Sequence, residues 1–524
     1  MSLNYSDLPG FQNLFLDYIN EFENVSKFYP KNFRNNNDFL KTFSELENYD
    51  RPHQNEMVKI IRKQYENFDI SKQTESNISS LSSKKTFAIV TGQQVSLFGG
   101  PMYTIYKTIT TIKLSNLLNE KYSDYHFVPI FWMEADDHDF EEVASTNILD
   151  KNNVFSTISY DDGLDEETNR GSVGNIIFNS NINLTLADLE EALRDNDFKK
   201  EILELISQSY KEGISFKDAF KNLMFNLFDE NGLILFDPQD SSAKNLLIPI
   251  FEKEITNFST HTTTNVLQSA ELEEVYHAQV KVKPINLFYS DESGRHLIEP
   301  IEEGFRFRGR RKKLNEEELL NLLYFEPSAF SPNVLLRPVC QDYLLPTAVY
   351  VGGPSEISYF AQVIPNYSFF GVTSPILFPR SSATIIEQRQ LTIIEKFRLS
   401  LSDFTYEESA LIEKVIKQIS EFNFEELFSK TEIEIKTTLD GLKEKLLTVD
   451  VSLAQPIEKS IVRIEQTLNT LKDKSKSAEE RKHQTVIAQL QKVRNVVNPS
   501  DVLQERQLNF IYFANKYGID IIKW

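Results

Sequence analysis

The sequence predicts a doubly wound α/β core followed by an α-helical coiled coil. Three observations lead to that class. Two continuously apolar segments, FAIVTG (87–92) and FVPIFWM (127–133), flank a helical stretch that opens at Pro101. Apolar strands joined through a helix mark a parallel sheet covered on both faces. Glycine is scarce, at 17 of 524 residues, yet Gly92, Gly99, Gly100, Gly352 and Gly353 crowd into two short motifs after apolar segments. Beyond about residue 381 glycine nearly vanishes and apolar residues fall into heptads.

Taken in order, residues 5–70 place Phe11, Leu14, Phe15, Tyr18, Ile19 and Phe22 at helical spacing. The serine-rich NISSLSS (77–83) reads as a linker. FAIVTG enters a turn, Pro101 takes the first helical position of PMYTIYKTITTIKLSNLLNEK, and FVPIFWM ends in an acidic run. Within 151–300, NVFSTISYDD, GSVGNIIF and GLILFDP read as strands, and the stretches near Leu186–Leu205 and Ala219–Leu227 as helices. Residues 334–364 read as strand, Gly-Gly-Pro turn and helix, with Cys340 in the strand, and FGVTSPILFPR (370–380) as a last core strand. Ile457, Ile461, Ile464, Leu468 and Leu471, then Val486, Leu490, Val493 and Val497, trace two coiled-coil seams. Lys472–Arg481 between them is either polar helix or the turn of an antiparallel hairpin. Pro499 ends the seam, and LQERQLNFIYFANKYGIDIIKW forms a final aromatic helix. The domains expected are 1–380, with inserted segments near 151–330, then 381–500 as the coiled coil and 501–524 packing back on the core.

The charge balance narrows function. Asp plus Glu is 77 against 56 Lys plus Arg, a net charge of −21, which argues against a nucleic-acid partner. No apolar run approaches a membrane span, and MSLNYSDLPG has neither a basic leader nor an apolar h-region. The single cysteine, Cys340, excludes an intrachain disulfide and a cysteine-based zinc cage. A soluble, cytoplasmic protein is expected.

Candidate chemistry gathers where strands end, because ligands of doubly wound sheets bind beyond the carboxyl ends at the switch point. Gln93, Gln94, Gly99 and Gly100 follow the first strand and are expected to bind substrate or phosphate oxygens. Their spacing matches neither a Walker loop nor G-x-G-x-x-G, and a tight packing turn explains the glycines equally well. Trp132, within the second strand, is a candidate substrate contact, and the run Glu134, Asp136, Asp137, His138, Asp139, Glu141 and Glu142 follows that strand. Six carboxylates around one histidine are costly unless a cation or an amine neutralises them. Asp137, His138 and Asp139 are the candidate acid/base and amine-binding group, with magnesium an alternative occupant and a solvated helix start the plain one. Zinc is not expected, since further ligands are missing nearby. Gly352, Gly353, Ser355 and Glu356 form a second strand–turn–helix site for substrate. Arg380, Ser381 and Ser382 suit a nucleotide phosphate, though the serines also suit a helix cap. Basic GFRFRGRRKK (304–313) either guides an anionic substrate or is a solvated loop.

TGQQVSLFGGPMYTIYKTITTIKL, VPIFWMEADDHDFEEV, LLRPVCQDYLLPTAVYVGGPSEISYFAQ and LQERQLNFIYFANKYG resemble, in order and from end to end, the bacillithiol synthases. The resemblance implies a Rossmann-like core similar to class I aminoacyl-tRNA synthetases, with connecting insertions and a coiled coil that forms a homodimer. It implies a ligase that joins the cysteine carboxyl to the amine of glucosaminyl malate, the last step of bacillithiol synthesis. Use of ATP, with ADP or AMP as product and magnesium as companion, follows from the synthetase-like core. The alternatives are another nucleotide-dependent ligase or nucleotidyltransferase of this fold, or a non-catalytic coiled-coil protein that binds a metabolite or nucleotide.

Overall fold

The computed structural model describes residues 3–420 and 423–522. Lys523 and Trp524, which close the predicted final helix, lie outside them. The chain divides into two units, Met1–Ala383 with Glu505–Trp524, and Thr384–Gln504.

The first unit is built on five parallel strands, β1 (Thr86–Gln94), β2 (His126–Glu134), β3 (Ile234–Phe236), β4 (Thr347–Gly352) and β5 (Ile376–Pro379), in the order β5-β4-β1-β2-β3. The chain fills one side of β1 and then crosses to the other, so the direction of winding reverses between β1 and β4. Strand β1 runs two residues past Gly92, because β2 continues alongside it until Gln94 pairs with Glu134. Gln93 and Gln94 therefore belong to the strand and not to the turn. The sheet's buried face holds Phe87, Ile89, Phe127, Val349 and Val351, covered by Phe39, Phe43 and Leu46 of the helix Asn36–Asn48. Phe43 stacks on Phe87 at 5.6 Å, and each fully buried side chain of this kind contributes about 1.5–3 kcal/mol.

Helix α1 (Met102–Lys121) connects β1 to β2, with Pro101 as its N-cap rather than its first helical residue. The turn ahead of it holds Phe98, Gly99 and Gly100 at φ of 51°, 83° and 72°, a region that glycine enters without steric cost. Asn509 ties this turn to the returning C-terminal segment by donating to Phe98 O and Gly100 O at 2.9 and 2.7 Å. A second sheet is antiparallel, in the order Phe330–Pro332, Leu287–Asp291, Gly294–Ile301, Gly304–Phe307 and Lys313–Leu314. The basic run thus forms strand and hairpin rather than a simple loop, with Arg306 and Arg308 both paired to Glu299.

Three further expectations are corrected. NISSLSS is largely helix, within Lys72–Ser80, because its Asn77 and Ile78 are buried against the core. GSVGNIIF is not a regular strand: Val173–Asn175 is a 3-10 turn whose Val173 and Gly174 N–H groups donate to Asp137 O and Ala135 O. Cys340 lies in a helix, α2 (Arg337–Leu344), with Pro338 in its first turn. The cysteine is fully buried, and burial drives its thiol pKa upward.

In the second unit, α3 (Phe424–Val449) and α4 (Ala454–Lys482) form an antiparallel hairpin. The chain reverses at Asp450–Leu453, where Asp450 caps the next turn by accepting from Ser452 N at 2.8 Å. Lys472–Arg481 is continuous helix, since it contains helix formers and no glycine or proline. Helix α5 (Gln484–Val497) follows after His483 and buries Leu490, Val493 and Val497 against Ile394, Phe397, Phe404, Leu411 and Val415. The two predicted seams therefore lie in successive helices, α4 packing on α3 and α5 on the helices before it, rather than on each other. Among the described residues no helix is long and apolar enough to cross a membrane.

Candidate active site

At the carboxyl end of the parallel sheet lies a cavity of about 640 Å³, lined by the ends of β1, β2 and β4 and by the antiparallel sheet. Its place is the winding reversal between β1 and β4, where Rossmann-like sheets take their ligands. Gly92 is needed here for close approach, because a Cβ would stand 3.1 Å from Trp132 O and 3.5 Å from Glu134 Oε1.

Within the acidic run, Glu134 and Asp136 are met by the protein's own cations. Asp136 receives Lys244 Nζ at 2.5 Å and Gln239 Nε2 at 3.2 Å. Burial raises its pKa, but Lys244 and Arg295 outweigh burial and hold it below the usual carboxylate range. Asp137 accepts from Gln94 Nε2 at 2.5 Å and from the His138 backbone at 2.7 Å. Burial raises its pKa, but the His138 side chain, these bonds and the charge of Arg295 outweigh burial and hold it below the usual carboxylate range. Glu134 behaves differently. Arg337 Nε stands 2.8 Å from its Oε1, yet burial dominates, Asp137 and Asp136 add to it, and its pKa is pushed up to about 7. One cavity thus holds carboxylates that stay charged beside one that exchanges a proton near neutrality.

The opposite wall is the turn after β4. Glu356 caps helix Pro354–Phe370 by accepting from Gly353 N at 2.7 Å. It also receives Lys107 Nζ at 2.5 Å. Lys107, from α1, donates in addition to Gly92 O and Gln93 Oε1, both at 2.8 Å. Burial lowers the Lys107 pKa, while burial of Glu356 is outweighed by Lys107 and leaves that carboxyl acidic. This buried ion pair staples β1 to the β4 turn.

The structure brings Gln93, Gln94, Asp137, His138, Gly353, Ser355, Glu356 and Arg380 to the cavity wall. His138 is 57 % exposed at its side chain, with Nδ1 at 3.3 Å from both Asp137 Oδ1 and Arg295 Nη1. Asp139 is outside the lining; it caps the short helix Phe140–Val143 by accepting from Glu142 N. Gly99 and Gly100 are buried away from the cavity, against Leu223, Phe510 and Ser96. Trp132 is buried beside Phe236, its indole N–H without an acceptor among the described residues, and Gly352 is buried within its strand. Arg380 reaches the lining, but its Nη2 is held by Glu505 at 2.7 Å; Ser382 Oγ donates to the same carboxylate, and Ser381 N to Thr110 Oγ1. Lys107, Lys244, Arg295 and Arg337 escape sequence reasoning, and Glu134 enters it only as one acid in a run.

A parallel sheet with a charged cavity at its switch point defines a Rossmann-like protein built around a small polar ligand. Residues 1–381 match the family model described as bacillithiol biosynthesis BshC, N-terminal Rossmann-like domain, and residues 383–524 match the C-terminal coiled-coil domain of the same family. The chain belongs to the BshC family of bacillithiol biosynthesis. It is 37 % identical over 517 residues to a Salinibacter ruber protein named "Putative cysteine ligase BshC", covering 98 % of this chain and 93 % of the relative. Relatives of the same name come from Chloroherpeton thalassium, at 35 % identity over 98 % of this chain and 94 % of theirs, and Flavobacterium psychrophilum, at 30 % over 99 % and 95 %.

Proposed function

We propose that this chain is an ATP-dependent ligase that joins the carboxyl of cysteine to the amine of glucosaminyl malate in the cytoplasm. The observation that carries the reading is Glu134, a carboxylate at the switch point whose affinity for a proton suits neutral pH. An ammonium nucleophile must lose a proton before it attacks, and a base with a pKa near the working pH removes it most effectively. The new bond is the amide C–N bond, the bond broken is from the carboxyl carbon to its oxygen leaving group, and Glu134 takes the amine proton. Asp137 and His138 stand beside it as the group that orients the ammonium.

A free carboxylate has no adequate leaving group, and ATP when bound supplies one. The strand order β5-β4-β1-β2-β3 supports a mononucleotide-binding core of the synthetase type. Arg380 and Ser382 fit a phosphate poorly because Glu505 already holds them. Arg506, which lines the cavity with no ion-pair partner among the described residues, fits one better. A homodimer through the hairpin completes the proposal. Cysteine-dependent release of phosphate or pyrophosphate from ATP, assayed with and without the acceptor, tests it; nucleotide breakdown indifferent to cysteine would contradict it.

A further inference from the structure

We infer that Lys281 and Lys283 form the docking site for the dicarboxylate end of the acceptor. The inference rests on the ligase reading above and names the part of the substrate this wall recognises. Most other cavity cations are already matched: Lys107 by Glu356, Arg337 by Glu134, Arg380 by Glu505 and Arg308 by Glu299, while Arg295 feels the charges of Asp136 and Asp137 and Arg506 is the phosphate candidate named above. Lys281 and Lys283 line the same cavity with no ion-pair partner among the described residues.

Their placement is fixed by the chain around them. Gln362, fully buried, accepts from Val280 N at 2.9 Å and donates to Val280 O at 2.8 Å. It is held in turn by Ser269 Oγ at 2.9 Å. With Val280 pinned on both backbone groups, Val280, Lys281 and Lys283 all reach the lining. Two ammonium groups two residues apart present donors to two separate anionic oxygens, which is what a dicarboxylate offers. In a chain of net charge −21, uncompensated cations concentrated at a cavity select for an anionic ligand.

A dicarboxylate and a nucleotide phosphate share this chemistry, so the test separates them. Calorimetry with the full chain, using L-malate and inorganic phosphate as probes, compares wild type with Lys281→Ala/Lys283→Ala and with Lys281→Arg/Lys283→Arg. Malate affinity is expected to fall at least ~10-fold in the alanine variant, as losing charge-assisted bonds implies, and to stay within a few-fold of wild type in the arginine variant. The KM for glucosaminyl malate should rise by a similar factor, with the KM for ATP unmoved. Equal malate affinity in wild type and alanine variant overturns the inference. So does a loss confined to phosphate binding or to the KM for ATP, which would make the lysines part of the nucleotide site. Lysine-dependent malate binding in a wild-type protein that makes no amide would uphold the site and remove the ligase reading.

Discussion

Arg337 Nε lies 2.8 Å from Glu134 Oε1 at the carboxyl end of β2, yet Glu134 retains a pKa pushed up to about 7. The pairing orients the carboxylate, and burial with the neighbouring Asp137 and Asp136 keeps it able to take a proton. Glu134→Gln should therefore lower kcat by ~10²–10⁴-fold with little change in KM for cysteine. The base works deprotonated, so kcat/KM of the wild type should rise with pH through about 7. A Gln variant of wild-type turnover, or one that retains that limb in its residual activity, would remove Glu134 from the mechanism. Asp139→Ala, by contrast, should cost ~1 kcal/mol of stability through a lost helix cap and leave kcat near wild type.

Gly99 serves the fold. Its φ is 83°, and an added Cβ would lie 3.3 Å from Leu223 Cδ2. Gly99→Ala should destabilise by ~1–2 kcal/mol, the cost of a left-handed L residue, with unchanged KM values in the folded enzyme. Thermal melts alongside kinetics check this. An unaltered melting temperature with a raised KM would return Gly99 to the binding site.

Much of the parallel sheet was legible because its strands are buried on both faces and appear as unbroken apolar runs. The same signal misled at 334–341: a short apolar run has no visible period when all sides are buried, and Val339–Cys340 folds as helix. The hairpin reversal was hidden for a different reason. Polarity suggested Lys472–Arg481, but the chain turns at Asp450, whose side chain competes locally for backbone N–H groups. The site was half legible. Acids lie together in sequence, whereas Lys244 meets Asp136 from 108 residues away and Arg337 meets Glu134 from another strand–turn unit. No local spacing encodes such pairs.

Arg380 and Glu505 are each 3 % exposed and joined at 2.7 Å. Removing one partner leaves a buried charge alone, so Arg380→Ala should cost ~3–5 kcal/mol, while Arg380→Met with Glu505→Leu should restore most of that loss. Urea denaturation of the double-mutant cycle measures it. An Arg380→Ala protein of wild-type stability that binds ATP poorly would assign the arginine to phosphate instead.

The α3–α4 hairpin leaves Ile433, Leu442, Ile464 and Leu471 exposed, at 64, 49, 36 and 54 %. Apolar positions repeated along a rod favour burial against a second copy. Light scattering should give twice the chain mass for the wild type and the single-chain mass for Ile464→Lys/Leu471→Lys, with helix content preserved. A monomeric wild type at micromolar concentration refutes the dimer.

The most direct measurement is reconstitution of the reaction itself. Purified protein incubated with cysteine, glucosaminyl malate and ATP should yield the cysteinyl amide thiol, identified by mass. Glu134→Gln should form it at least ~10²-fold more slowly. Absence of that product from a folded wild-type protein that binds all three compounds would contradict the account.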